Sequence, residues 1–139
     1  MRGTDQDLQT LVSKLEPARH PGVYAYSIAP FDADLGALDP VALIREEDGW
    51  TVVAEESQIR RARLPVLFRA AWITLSVGSD LHSVGFTATF STALAEARIS
   101  CNVIAGAHHD HVFVPIELAD QALAMLHALQ RTATGRGAR

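Results

Sequence analysis

The chain has 139 residues, 48% hydrophobic and 20% charged, with a formal net charge of −4. That is the balance of one ordinary globular domain or two very small ones, and it excludes a disordered chain. The acidic sum argues against a nucleic-acid partner, no apolar run suits a membrane span, and MRGTDQDL lacks a signal peptide's apolar core, so a cytoplasmic protein is expected.

The charge is uneven. Up to Val66 there are 7 Lys+Arg against 11 Asp+Glu, and from Leu67 onward 5 against 5. The neutral half is where apolar packing and subunit contact are expected. A single cysteine, Cys101, excludes an internal disulfide and fits a reducing compartment.

Thr4 or Asp5 caps a first helix, with Leu8, Leu11, Val12 and Leu15 at helical spacing and Pro17 and Pro21-Gly22 as stops. Gly22 to Ala29 reads as a strand. Pro30 to Pro40 reads as a surface loop: Asp32 and Asp34 suggest a calcium pair, but the glycine and terminal glutamate of an EF-hand are missing. Val41 to Glu47 and Trp50 to Ala54 alternate about Asp48-Gly49, a two-residue hairpin signal in which both positions need positive φ. Glu55 to Arg63 reads as a short helix whose Arg60, Arg61 and Arg63 suit its C-terminus. Val66 to Val77 is apolar on both faces and belongs mid-sheet.

Gly78-Ser79-Asp80 breaks that strand, and Val84 to Ala97 follows as a helix. Phe86, Phe90, Leu94 and Ala97 form its core stripe. Val84, Ala88 and Ala95 form a small-residue face that would admit a second helix or a subunit. Ile99 to Ala107 and His111 to Pro115 read as strands turning at His109-Asp110. Ile116 to Gln130 is an amphipathic helix with a stripe of Leu118, Ala122, Met125, Leu126 and Leu129. RTATGRGAR reads as a frayed tail.

From Val66 the order is strand, helix, strand, strand, helix, a ferredoxin-like split-βαβ pattern short of its last strand. From Gly22 it is strand, hairpin, short helix, strand. The expected fold is therefore α+β: two incomplete tandem units (1–65 and 66–131, then a tail at 132–139), sharing or adjoining a mostly antiparallel sheet with helices on one face. The strand Val66 to Val77 can serve both.

The stretch from Ile73 to Leu129 resembles a bacterial family of small stand-alone ACT-domain proteins with the βαββα fold. The resemblance rests on Leu81-x-x-Val84-Gly85-Phe86-Thr87-Ala88, Leu94-Ala95, Ile99-Ser100-Cys101-Asn102-Val103-x-Ala105-Gly106 and His109-Asp110-His111-x-Phe113-Val114-Pro115. The N-terminal half fits that family's degenerate ACT-like unit, best at Leu38-Asp39-Pro40 and Glu46 to Trp50. The resemblance implies regulatory binding of an amino acid or other small metabolite, often across a homodimer or larger homo-oligomer. No cofactor is expected, and the residues offer no convincing catalytic set. Its usual site maps to Gly78 through Gly85 with Asn102, although His82-Ser83-Val84 stands where an Asp-Arg-Pro is common.

The residues in that loop suit a zwitterion. Gly85 would let helix N–H groups approach a carboxylate. Ser79 offers a hydroxyl and Asp80 a partner for an ammonium group. The expected ligand set is Ser79, Asp80, Leu81, His82, Val84, Gly85 and Asn102. The same residues equally fit a reading in which Gly85 serves packing alone and Ser79 and Asp80 cap the helix.

His108, His109, Asp110 and His111 form the densest cluster of metal-ligating residue types. His109 and His111 share a strand face and would share a metal if the strand began early enough; a turn at His109-Asp110 breaks that alternation. A metal-assisted hydrolase using His109, Asp110 and His111 is the alternative function. A purely structural oligomerisation domain is another. Cys101 in an apolar strand reads as a small core residue.

Overall fold

The computed structural model describes residues 5–76 and 81–137. In chain order the elements are α1 (Asp5–Ser13), β1 (Pro17–Arg19), β2 (Tyr24–Ala29), a 3-10 turn at Gly36–Leu38, β3 (Ala42–Arg45), β4 (Trp50–Glu55), α2 (Glu56–Arg61), β5 (Phe68–Leu75), α3 (Phe86–Glu96), β6 (Asn102–Ala105), β7 (Asp110–Pro115), a 3-10 turn at Ile116–Leu118 and α4 (Ala119–Gly137). They form two compact units. Residues Pro21–Ala71 make one; the residues up to His20, together with those from Trp72 onward, make the other.

In the Pro21–Ala71 unit the strand order is β3-β4-β2-β5, and the pairs are antiparallel. The register sets Ala25 opposite Ala54, Ser27 opposite Val52 and Ala29 opposite Trp50. Alternation puts these on one face. Ala25, Ala29, Val52 and Ala54 pack there with Ile59 of α2 and Leu38 of the 3-10 turn. Alanines on a strand leave room for a helix and a loop to approach closely. The Glu56 carboxylate at the start of α2 accepts from Arg69 Nε at 2.7 Å and from Arg60 at 2.9 Å. These hydrogen bonds, led by Arg69, hold it below the ordinary carboxylate range.

In the other unit β1 pairs with β5, Pro17 opposite Leu75, and β7 lies between β5 and β6. Ile73, Leu75, Val112 and Val114 are buried with Phe86, Phe90 and Leu94 of α3, Ala122 and Leu126 of α4, and Val12 and Leu15. The Gln130 side chain closes the end of α1. It donates to the Ser13 carbonyl at 3.1 Å and accepts from the Glu16 N–H at 2.9 Å. The strand β5 serves both units in sequence: Phe68 to Ala70 pair with β2, and Ile73 to Leu75 pair with β1.

Several details differ from expectation. Both hairpin turns are wider or earlier than the dipeptides suggest. Arg45 pairs with Trp50, so Glu46 to Gly49 is a four-residue loop closed by Glu46 N–H to Gly49 O at 2.9 Å. Ala105 pairs with Asp110, so the second loop is Gly106 to His109, closed by Gly106 N–H to His109 O at 2.8 Å. Register is fixed by which residues are buried, and the loops absorb the remainder. Asp48 is not among the positive-φ residues. Gly49 is needed instead for close approach: a Cβ there would lie 2.7 Å from the Ala29 carbonyl oxygen.

The frayed tail is also helical, since α4 runs to Gly137. Ala133 is buried, and its carbonyl accepts from Gln9 at 3.2 Å. Tertiary contact with α1 overrides the Gly/Arg composition. The short strand β1 was not expected. Thr4 and Gly78 to Asp80 lie outside the described residues.

Candidate functional site

The helix α3 starts at a left-handed glycine. Gly85 is its N-cap, at φ 90° and ψ −15°. A β-carbon in that conformation is strained, which explains a glycine here. The Gly85 carbonyl accepts from the Thr89 N–H at 3.0 Å and from its hydroxyl at 2.8 Å. Gly85 carries no capping side chain, and the first turn of α3 has no acidic residue. That end keeps the positive potential of its N–H groups.

Before Gly85, Leu81 is 69% and Val84 is 90% exposed, and His82 is exposed. Ser79 and Asp80 lie outside the described residues. Asn102 is exposed at the start of β6, opposite Phe113. The nearest side chain to Gly85 from another element is Leu8 of α1. A cleft of about 350 Å³ between α1, α3 and α4 is lined by Leu8, Val12, Thr89 and Leu129 among others. The small-residue positions Ala88 and Ala95 are exposed.

The histidine cluster divides. His109 is exposed in the turn. Asp110 and His111 are successive strand residues and point to opposite faces. Asp110 is buried, and burial pushes its carboxyl up, opposed by the His111 charge. Among the described residues no three His, Cys, Asp or Glu side chains are grouped to hold a metal.

His111 instead joins a network that sequence reasoning missed. The Trp72 indole N–H donates to His111 Nδ1 at 3.1 Å. An indole can only donate, so Nδ1 bears no proton and the neutral ring carries it on Nε2. The Thr74 hydroxyl, 3.1 Å from the same Nδ1, must then donate to it. Its oxygen is left to accept from Nε2–H of His20 at 2.7 Å. His20 stacks on Trp72 at 3.4 Å between centroids, and Phe113 stacks on Trp72 at 6.3 Å. Both histidines are held below the ordinary imidazole value, chiefly by burial. The available signal was the alternation placing Trp72 and Thr74 on one face of β5.

Burial pushes the Cys101 thiol up to about 11. It is a thiol at neutral pH and a weak nucleophile. The register places His111 opposite Ile104, three residues from Cys101, or about 10 Å along the strand.

The βαββα order of the second unit is that of a ferredoxin-like α+β fold. An ACT-domain profile matches residues 68–128 and a second one matches residues 4–71. A protein of unknown function from Vibrio cholerae is 40% identical with a TM-score of 0.79, over 88% of this chain and 95% of that one. The Agobacterium tumefaciens protein Atu0741 has 16% identity and a TM-score of 0.66, over 82% of this chain and 87% of that one. The regulatory subunit of aspartate kinase from Thermus thermophilus has 14% identity and a TM-score of 0.59, over 81% of this chain and 95% of that one. The last two likenesses show the fold. No curated protein matches the sequence. The chain belongs to the ACT-domain family, with one ACT-like half after the other. No helix among the described residues is long and apolar enough to cross a membrane.

Proposed function

We propose that this protein is a cytoplasmic amino-acid sensor, a homodimer or higher homo-oligomer whose ligand sits in the loop ahead of α3. The observation that carries this reading is the start of α3: an exposed loop enters through left-handed Gly85 onto a helix whose first turn holds no acidic residue. A helix N-terminus of that kind favours a carboxylate. In this reading the ligand carboxylate accepts from first-turn N–H groups. Asp80 pairs with the ammonium group, and Ser79 and the Asn102 amide add hydrogen bonds. Leu81, His82 and Val84 shape the space around the ligand side chain.

Binding would bias one oligomeric or partner-binding state over another, by no more than its difference in affinity for the two. A thermal-shift screen of the amino acids tests the proposal. A true ligand at a hundred times its Kd stabilises by about 2.7 kcal/mol, a rise of several degrees in the unfolding midpoint. If no amino acid raises the midpoint, and Gly85→Ala alters only folding, the sensor reading fails. Light scattering with and without the ligand tests the oligomer: a constitutive dimer indifferent to every small molecule would point to a structural module.

A further inference from the structure

The Pro21–Ala71 unit contains a cleft of about 360 Å³, outside the loop proposed for the amino acid. That size falls within the range of small-molecule pockets. Ile28 at the end of β2, Trp50 at the start of β4, and Leu64 with Pro65 after α2 form its apolar walls. Leu64 is fixed from behind. Its N–H reaches back to the Ile59 carbonyl at 3.1 Å, and its side chain packs on the unit's core. Trp50 is half-buried on the same core and meets the Phe31 ring edge-on at 5.9 Å.

The rim has one sign of charge. Glu46 and Asp48, both exposed on the four-residue loop between β3 and β4, line the cleft beside Trp50. The ion pairs among the described residues are Arg19–Asp120, Arg60–Glu56 and Arg69–Glu56, so neither carboxylate is in one. Glu46 accepts from the Thr51 hydroxyl, which anchors it at the rim. The neighbouring guanidinium, Arg45, lies over the Phe31 ring, 5.4 Å from its centroid. Gly49 presses the loop against the Ala29 carbonyl, where a β-carbon would clash. Both carboxylates therefore line the same cleft as Trp50, with their charge open to solvent at its mouth.

We infer that this cleft is a second ligand site, for a small organic cation with an apolar or aromatic body and a protonated amine. Its body lies between Trp50, Leu64 and Pro65, and its ammonium group faces the rim carboxylates of Glu46 and Asp48. A ligand with a carboxylate in place of the amine meets two like charges and is rejected. The site is independent of the loop before α3, and either can fail without the other.

Tryptamine and indole-3-propionate are the probes, titrated into the full chain by calorimetry and by amide chemical-shift mapping. The expected result is saturable tryptamine binding with shifts at Ile28, Gly49, Trp50 and Leu64, and no binding of the acid. Glu46→Gln with Asp48→Asn should weaken tryptamine about tenfold, the scale of two partly exposed charge pairs, and raised salt should weaken it too. Unchanged thermal unfolding of that double variant excludes misfolding as the cause. No tryptamine binding at millimolar concentration, equal binding of the acid, or undiminished binding to the double variant would each overturn the assignment.

Discussion

The helices α2 and α3 end alike and begin differently. At the end of α2, Arg63 adopts φ 59° and the N–H of Leu64 reaches the Ile59 carbonyl. At the end of α3, Arg98 adopts φ 62° and the N–H of Ile99 reaches the Leu94 carbonyl. Both are Schellman closures, with arginine where glycine is usual and an apolar residue returning to the core. The starts differ, although neither N-cap residue makes a side-chain capping hydrogen bond. The first N–H of α2 donates to the Val23 carbonyl at 2.9 Å, and Glu56 supplies the acid that suits a helix N-terminus. The start of α3 has a bare glycine and an exposed loop. Closing a helix is a structural need that both halves meet the same way. The start of the helix is where the two halves diverge.

The largest expected effect lies in what each helix buries. Phe90 of α3 is fully buried and meets Phe86 edge-on at 5.3 Å. Phe90→Ala should cost about 3–5 kcal/mol, and Ile59→Ala in α2 about 2–5 kcal/mol, read from urea unfolding. A loss under about 1 kcal/mol at either would mean that the helix is not anchored by its buried face. Next come the left-handed positions. Gly85→Ala should destabilise by about 1–2 kcal/mol from backbone strain alone, since its β-carbon would meet only Leu8 at an ordinary 3.5 Å. The opposite exchange, Arg63→Gly or Arg98→Gly, should stabilise by up to about 1 kcal/mol, and equally in both helices. Unequal gains would break the equivalence of the two closures.

The smallest effect is on pH. His20 and His111 have folded values below the ordinary 6.5. The unfolded chain therefore takes up protons first as pH falls. Their contribution is fully present above about 6.5 and declines as pH drops below it toward the folded values. Protonating His111 also places a proton on Nδ1, facing the Trp72 N–H. Thermal unfolding should shift downward between about pH 7.5 and 5.5. His111→Gln should flatten that slope, and an unchanged slope would remove His111 from the network's control of stability.

The elements with strong periodicity were legible in the sequence: β4, β5, α3 and most of α4 follow from alternation or a helical stripe. The strand β1 was not. It has three residues, opens on a proline that reads as a stop, and exists because Ile73 to Leu75 pair with it. The last turns of α4 were hidden for the same reason, since Gln9 and a buried Ala133 hold them through contacts remote in sequence. Gly85 announced a helix mouth because only that position required a left-handed residue there. The HHDH run promised a site that the strand geometry divides: alternation sends Asp110 inward and His111 toward Trp72. Trp72 and His20 were unreadable as a pair, being on strands or their edges that meet only in the folded chain.

The proposed amino-acid site lies at the start of α3. Amide chemical-shift mapping with the amino acid that most raises the unfolding midpoint tests it most directly. Saturable shifts are expected at Leu81 to Thr89 and Asn102, abolished by Gly85→Ala in protein that remains folded. Saturable shifts that leave those residues unmoved would contradict it.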